Sequence, residues 1–227
     1  MALIFRPENL PIASIDAHLP AVAADELTAP RIAARFRRPP AWVPEIAIER
    51  PFIERAPTQA AVLVPLVQRD ELMVLLTCRA DHLHDHPGQV SFPGGRVDPG
   101  DSDVVATALR ESLEEIGLHS RHVDILGQLP TYTTGTGFVV TPVVGLVEPG
   151  FTLAMDALEV ADAFEVPLSF LMSPAHHRWH EVEHEGVRRQ FLSMPWEGPG
   201  SDGHSRQFFI WGATAAMLRN FYRFLSA

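Results

Sequence analysis

The stretch Gly95–Leu118 reads GRVDPGDSDVVATALRESLEEIGL, and its second half sets Glu111, Glu114 and Glu115 within five positions, directly after Arg110. Apolar residues recur at helical spacing through Val105, Leu109, Leu113 and Ile116, so the run from Ser102 to Leu118 is predicted to be a helix. Asp101 or Ser102 caps its start, Asp103 suits the positive end of its dipole, and Gly117 ends it. At about 100° per residue the four apolar side chains form one stripe towards a core, and the three glutamates share the opposite face. Like-charge pairs at i, i+3 and i+4 cost an isolated helix roughly 0.2–0.5 kcal/mol each. No lysine stands at i+4 from any of the three to relieve them. Just upstream, the FPGG of residues 92–95 lets backbone carbonyls approach a ligand closely. Hard divalent cations such as Mg²⁺ and Mn²⁺ take oxygen ligands and bridge carboxylates to phosphates. A metal-binding face accounts for the cluster better than a solvated one.

Outward from this helix the pattern is mostly β. Residues 59–68 (QAAVLVPLVQ) and 71–79 (ELMVLLTCR) are apolar, β-branched runs joined by a polar turn. A loop, ADHLHDHPGQ, leads to a short strand at VSF and then to the glycine and proline punctuation of PGGRVDPGD. Further strand-like runs are HVDILGQLP, GFVVTPVVGLV, DAFEVPL, RWHEVEHEG and VRRQFLSM, and WGATAAMLRNFYRFL closes the chain as an amphipathic helix. Within the proline- and alanine-rich first 57 residues, TAPRIAARFRR has the makings of a short helix that RPPAWVPE stops. Many strands around two or three helices give an α+β class with a mixed sheet. The expected division is an N-terminal extension, residues 1–57, packed on a main domain of residues 58–227.

Composition narrows the function. The chain has 227 residues, 46% apolar and 20% charged, with a formal charge of −10. That balance argues against nucleic-acid binding, while an acidic protein still takes a phosphorylated small molecule if divalent cations stand between them. Cys78 is the single cysteine, which excludes an internal disulfide and suits a reducing compartment. The N-terminus lacks the pattern of a secretion signal and no apolar run is long enough to span a membrane, so a cytoplasmic location is expected.

The Gly95–Leu118 stretch resembles the signature of the Nudix hydrolases: a glycine, a mid-segment acid, then Arg-Glu-x-x-Glu-Glu-x-Gly-apolar. The second half matches throughout. In the first half Ser102 stands where glutamate is usual and Gly95 lies one residue too far upstream, leaving Asp101, Ser102 or Asp103 to serve as the mid-segment residue. Ser112 occupies a position that is usually apolar. A second block, LLTCRADHLHDHPGQVSFPGG at residues 75–95, is similar to the motif of the coenzyme A pyrophosphatase branch, with His84 at a position that is often arginine and Ala80-Asp81 in place of Ser-Ala. TGFVVTPVVGLV, FEVPLSFL and IWGATAAML also look like that branch, so the likeness runs from about residue 57 to near the C-terminus.

The resemblance implies a Nudix-like α/β/α sandwich that hydrolyses the pyrophosphate of coenzyme A or a derivative to 3′,5′-ADP and 4′-phosphopantetheine, with Mg²⁺ or Mn²⁺. It implies Glu111 and Glu115 as metal ligands, Glu114 as a third ligand or the base, the Gly95 carbonyl as a further ligand, and Arg110 as the residue that orients the glutamates. Arg79, His84, Gln89, Phe92 and Gly94 are the implied substrate-binding positions. Glu159 competes with Glu114 for the part of base. ADP-ribose or NADH is the alternative substrate, and a non-catalytic nucleotide-sensing domain the alternative role. A homodimer is compatible with the chain; nucleic acid and membrane partners are not expected.

Other motifs carry less. His82, His84 and His86 have no further ligand set nearby in sequence, so a zinc site is disfavoured and a cleft-border role is expected. The histidines of HHRWHEVEHEG read as a polar strand face or loop. TYTTGTG, residues 131–137, has the glycines of a phosphate cradle but reads more readily as a flexible loop at a strand edge. Ser91 and Thr107 lack the His–Asp partners of a covalent nucleophile.

Overall fold

In the computed structural model residues 6–51, 56–83, 87–184 and 186–227 are described. Twelve strands and four α-helices follow in chain order: β1 Ile12–Ile15, α1 Ala29–Arg37, β2 Thr58–Gln68, β3 Leu72–Arg79, β4 Val90–Ser91, β5 Gly94–Arg96, α2 Val104–Ile116, β6 Val123–Gln128, β7 Tyr132–Thr133, β8 Phe138–Val147, β9 Val160–Pro167, α3 Leu168–Leu171, β10 Arg178–His184, β11 Val187–Pro199, β12 Ser205–Trp211 and α4 Gly212–Ser226. The architecture is α+β, built on a mixed sheet.

That sheet is organised around β2, which pairs in parallel with β8 from Thr58↔Phe138 to Val67↔Val147 and antiparallel with β3 and β5. β4 and β9 add to β3, while β6 and β7 add to β8. A central strand covered on both sides must be apolar at consecutive positions, and alternation then sends neighbours to opposite faces. Ala60, Val64 and Leu66 join one core, whereas Ala61, Leu63 and Val67 join the other. The second core lies under α2, through Ala108 and Ile116. The first and larger core receives α4 and the inner side chains of a second, four-stranded antiparallel sheet, β1-β10-β11-β12.

The sequence does not reveal that second sheet as a unit. β12 and β1 pass unread, and GGR, read as punctuation, is strand β5 paired with Ala60–Val62. Glycine lowers strand propensity, so only the close approach to β2 explains it. A Cβ on Gly94 would lie 2.6 Å from Val62 Cα. The polar-strand reading of HHRWHEVEHEG also changes, because His177 and His180 are buried. No helix among the described residues is long and apolar enough to cross a membrane.

Residues far apart in sequence are tied at the middle of α4. Arg219, 3% exposed, contacts Asp16 at 3.1 Å and donates to both oxygens of Glu45 at 2.8 and 3.1 Å. It also donates to His177 Nδ1 at 3.0 Å, and His177 Nε2–H donates to the Leu171 carbonyl at 2.8 Å. With both ring nitrogens committed the imidazole is held neutral, and burial pushes its pKa down to about 4. The unfolded chain therefore binds the extra proton first as pH falls, so stability contributed above pH 6.5 is lost between about 6.5 and 4. A His177→Gln variant, whose amide can still accept from Arg219 and donate to Leu171, should show a shallower fall over this window. Urea titrations at intervals of pH check this, with a slope difference of at most about 1.4 kcal/mol per pH unit.

Candidate active site

α2 begins where Asp103 accepts a hydrogen bond from the Ala106 amide at 2.8 Å, and it ends at Gly117 with φ 69°, a left-handed cap suited to glycine. Asp103 is thus the cap, and the neighbouring acid is free for another task. Asp101 accepts two hydrogen bonds from Arg110, Nε at 2.9 Å and Nη2 at 3.0 Å, and a third from Thr107 Oγ1 at 2.8 Å. The guanidinium holds the Asp101 carboxyl well below the usual range. Of the three mid-segment residues, Asp101 is the one joined to the arginine. Arg110 also donates through Nη1 to Glu111 and to Glu114, each at 2.9 Å, and through Nη2 to the Arg96 carbonyl at 3.0 Å.

The buried face of α2 is not the expected one. Ala108, Ser112, Glu115 and Ile116 are buried, while Leu113 is 42% exposed. With Glu111 at 0°, the sheet-facing side is centred roughly between 60° and 100°, displaced from the stripe of large apolar residues. The cause is the proximity of β2 and β5, which present Ala61, Gly94 and Gly95 to the helix. The three glutamates consequently separate. Glu115 is buried, Glu111 half-buried, and Glu114 turns outward along Arg110.

Glu115 accepts a single backbone hydrogen bond, from Gly94 N–H at 3.1 Å. Burial pushes its carboxyl up to about 8; the Gly94 bond works against this, Glu111 adds to it, Arg79 lowers it and Glu159 raises it again. Burial raises Glu111 also, with Arg110 pulling it back. A Cβ on Gly95 would come within 2.5 Å of the Glu111 carboxyl carbon and one of its oxygens. Two carboxylates that repel each other in a low-dielectric corner, beside a strand position with space only for glycine, are a donor set suited to a hard divalent cation. Among the described residues no three acidic or histidine side chains are gathered as a ready cage. Glu111 and Glu115 are the pair brought together.

The remaining predicted positions divide. Arg79 and Glu159 influence Glu115, and they are linked by backbone, since Ala80 N–H donates to the Glu159 carbonyl at 2.9 Å. Gln89 is in the same hairpin, its carbonyl accepting from Arg79 N–H at 3.0 Å. Phe92 is corrected: at 2% exposure it is a core side chain and no cleft wall. Gly94 serves through the Glu115 bond and the tight β5–β2 contact. His84 lies outside the described residues. Sequence reasoning missed the pairing of Arg96 with Phe138, whose ring centroid is 5.4 Å from the guanidinium carbon. No spacing rule joins positions 42 residues apart.

A family model, the NUDIX domain, matches residues 57–189. The chain is 42% identical over 160 residues to a protein of Yersinia enterocolitica named uncharacterized Nudix hydrolase NudL, covering 70% of this chain and 77% of that one. It is likewise 42% identical to the protein of that name from Enterobacter sp. strain 638, covering 71% and 79%. Among solved structures, a MutT/nudix family protein from Enterococcus faecalis is similar with a TM-score of 0.45 and 17% identity, covering 88% of this chain and 75% of that one. The C. elegans Ap4A hydrolase binary complex gives 0.42 and 21%, covering 48% and 80%.

The elevated Glu115 carboxyl has a consequence of opposite sign to that of His177. The folded state binds more protons than the unfolded one between about pH 4.5 and 8, so ionisation removes stability as pH rises through that window. In chelator-containing buffer, urea titrations should show this decline for the native protein and a flatter profile for Glu115→Gln.

Proposed function

Because the chain belongs to the Nudix hydrolase family, we propose that this pyrophosphohydrolase cuts coenzyme A or a derivative at its pyrophosphate, using Mg²⁺ or Mn²⁺ held by Glu111 and Glu115. The observation that carries the metal reading is the buried Glu115 carboxylate beside Glu111, with Gly95 leaving room for the Glu111 carboxyl. The substrate reading rests on the block at residues 75–95, with Arg79 close enough to act electrostatically on Glu115. When bound, a divalent cation would neutralise the charge of the pyrophosphate and acidify the attacking water.

The chain's own residues do the rest. Arg110 restrains Glu111 and Glu114 by charge-assisted hydrogen bonds and is itself fixed by Asp101, so the carboxylates are oriented before substrate arrives. Arg79, whose charge acts on Glu115, supplies positive charge for a phosphate. Gln89 shares its hairpin through the Arg79 N–H bond to its carbonyl. Two further acids act on the ligand pair, Glu114 held by Arg110 and Glu159, which raises both Glu111 and Glu115. The one that takes the proton of water is the one whose glutamine variant loses kcat with metal affinity retained.

The test is incubation with coenzyme A, ADP-ribose or NADH in Mg²⁺ or Mn²⁺, with products identified by mass. Release of 3′,5′-ADP from coenzyme A should exceed any other cleavage, vanish with EDTA, and fall on the order of 100-fold or more in Glu115→Gln. Preferred cleavage of ADP-ribose would overturn the substrate assignment and leave the metal site standing. Binding of nucleotide without cleavage of any substrate would overturn both.

A further inference from the structure

The residues before the matched domain do not merely cover it. At residues 47–49 the chain runs parallel to β7: Thr133 N–H donates to the Ala47 carbonyl at 2.9 Å, and Glu49 N–H donates to the Thr133 carbonyl at 2.8 Å. The Glu49 carboxylate then accepts at both oxygens, from the buried Tyr132 hydroxyl at one and from Gly135 N–H at 2.7 Å at the other. This fixes the TYTTGTG loop, whose Thr134 hydroxyl accepts from Phe138 N–H at 3.0 Å. The Gly135 amide, which an anion cradle would offer to phosphate, is taken by a carboxylate of the chain itself. The loop is a latched support, and neither a flexible edge nor an open cradle.

What it supports is Phe138, and over that ring lies the guanidinium of Arg96. Arg96 directly follows Gly95, the residue facing Glu111, and its carbonyl is gripped by Arg110. Side chains alternate along β5, so Arg96 projects to the face opposite Glu111. It is paired across to Ala60, two residues from the Thr58↔Phe138 pair. A substrate whose pyrophosphate sat at Glu111 and Glu115 would reach Arg96 only with another part of its length, by passing the edge of β5. An aromatic face under a guanidinium holds the planar fork ready for an anionic or planar group. In a chain of net charge −10, an exposed guanidinium turned away from the Glu111 carboxylate favours an anionic ligand locally.

We propose that Arg96, on its Phe138 platform, contacts the nucleotide end of the substrate, and that Glu49 of the N-terminal segment is the positioning residue that holds this platform through the Tyr132–Gly135 latch. The proposal deepens the pyrophosphohydrolase reading by naming an adenine nucleotide as the group recognised, so its test is a binding measurement independent of turnover. Calorimetric titration with ADP and with 3′,5′-ADP is made on the native protein, Arg96→Ala, Glu49→Ala, Glu49→Gln and the Arg96→Ala/Glu49→Ala double variant. Arg96→Ala should weaken both ligands about tenfold or more, the loss expected for a charge-assisted contact.

Glu49→Ala should weaken them less, and Glu49→Gln, whose amide can still bond Tyr132 and Gly135, should recover most of that loss. If Glu49 acts through Arg96, the double variant binds no worse than Arg96→Ala alone. A purely structural Glu49 would lower the melting temperature and leave the nucleotide affinity unchanged, which would overturn the positioning role. Losses that multiply in the double variant, an unaltered affinity in Arg96→Ala, or no nucleotide binding by the native protein would each overturn the proposal. Failure to cleave coenzyme A with nucleotide binding intact would strike only the activity assignment.

Discussion

Glu115 is a carboxylate taken out of water and given one neutral hydrogen-bond donor in return. Such a group costs several kcal/mol to ionise unless positive charge arrives, which is why its proton is held so far up the pH scale. The surrounding structure is shaped by that requirement. Strand β5 carries two glycines for two different reasons: a Cβ on Gly95 would strike the Glu111 carboxyl of the helix, and one on Gly94 would strike the backbone of β2 at Ala61 and Val62. The sheet beneath supplies Ala61 at the facing position, buried completely. Removing either small residue would push the helix outward and return the carboxylate to solvent.

Local signals in the sequence are the ones that transmit well. The end of α2 is legible because a left-handed glycine acts within a turn of the residues it terminates, whereas its start lies later than the sequence suggests: Asp103, not Asp101 or Ser102, is the cap, because Asp101 is engaged by Arg110. The strands β2 and β8 are legible because burial on both faces leaves an unbroken apolar run. The orientation of α2 is not, since large apolar residues dominate any helical wheel while the face that is buried here is marked by Ala108 and Ser112. A small residue signals close approach only once the approaching element is known. Strand β5 is hidden for the same reason, and β1 because all four of its residues are exposed and only pairing with β10 makes them a strand. Phe92 misled through its place inside a motif: proximity in sequence to FPGG put it near the site, and the alternation of the chain turned it into the core.

The polar network at Arg219 illustrates a part of the fold that no periodicity encodes. Asp16, Glu45, His177 and Arg219 come from four separate regions, and each alone reads as surface. Brought together they engage all three nitrogens of a guanidinium that is 3% exposed, and a buried cation so held specifies one arrangement of its neighbours. The N-terminal segment is thereby fixed at two heights: by Asp16 and Glu45 against α4, and by Glu49 against β7. Its path between them has few alternatives.

Charge balance links these observations to chemistry. Arg110 is surrounded by Asp101, Glu111 and Glu114, and its donors are directed at them and at the Arg96 carbonyl. One cation cannot neutralise three carboxylates, and none of its hydrogen bonds reaches Glu115. An anionic pyrophosphate brought to this corner would add charge of the same sign to a site already short of cations, at separations where screening by water is weak. Arg79 influences Glu115 without a hydrogen bond to it among the described residues, and the Arg96 side chain lies over Phe138, so neither fills the centre. On the proposed reading two tasks that a single arginine cluster would merge are separated: the side-chain cations would meet the nucleotide, and the charge missing between Glu111 and Glu115 would come from divalent ions, which bring charge and acidify water at once.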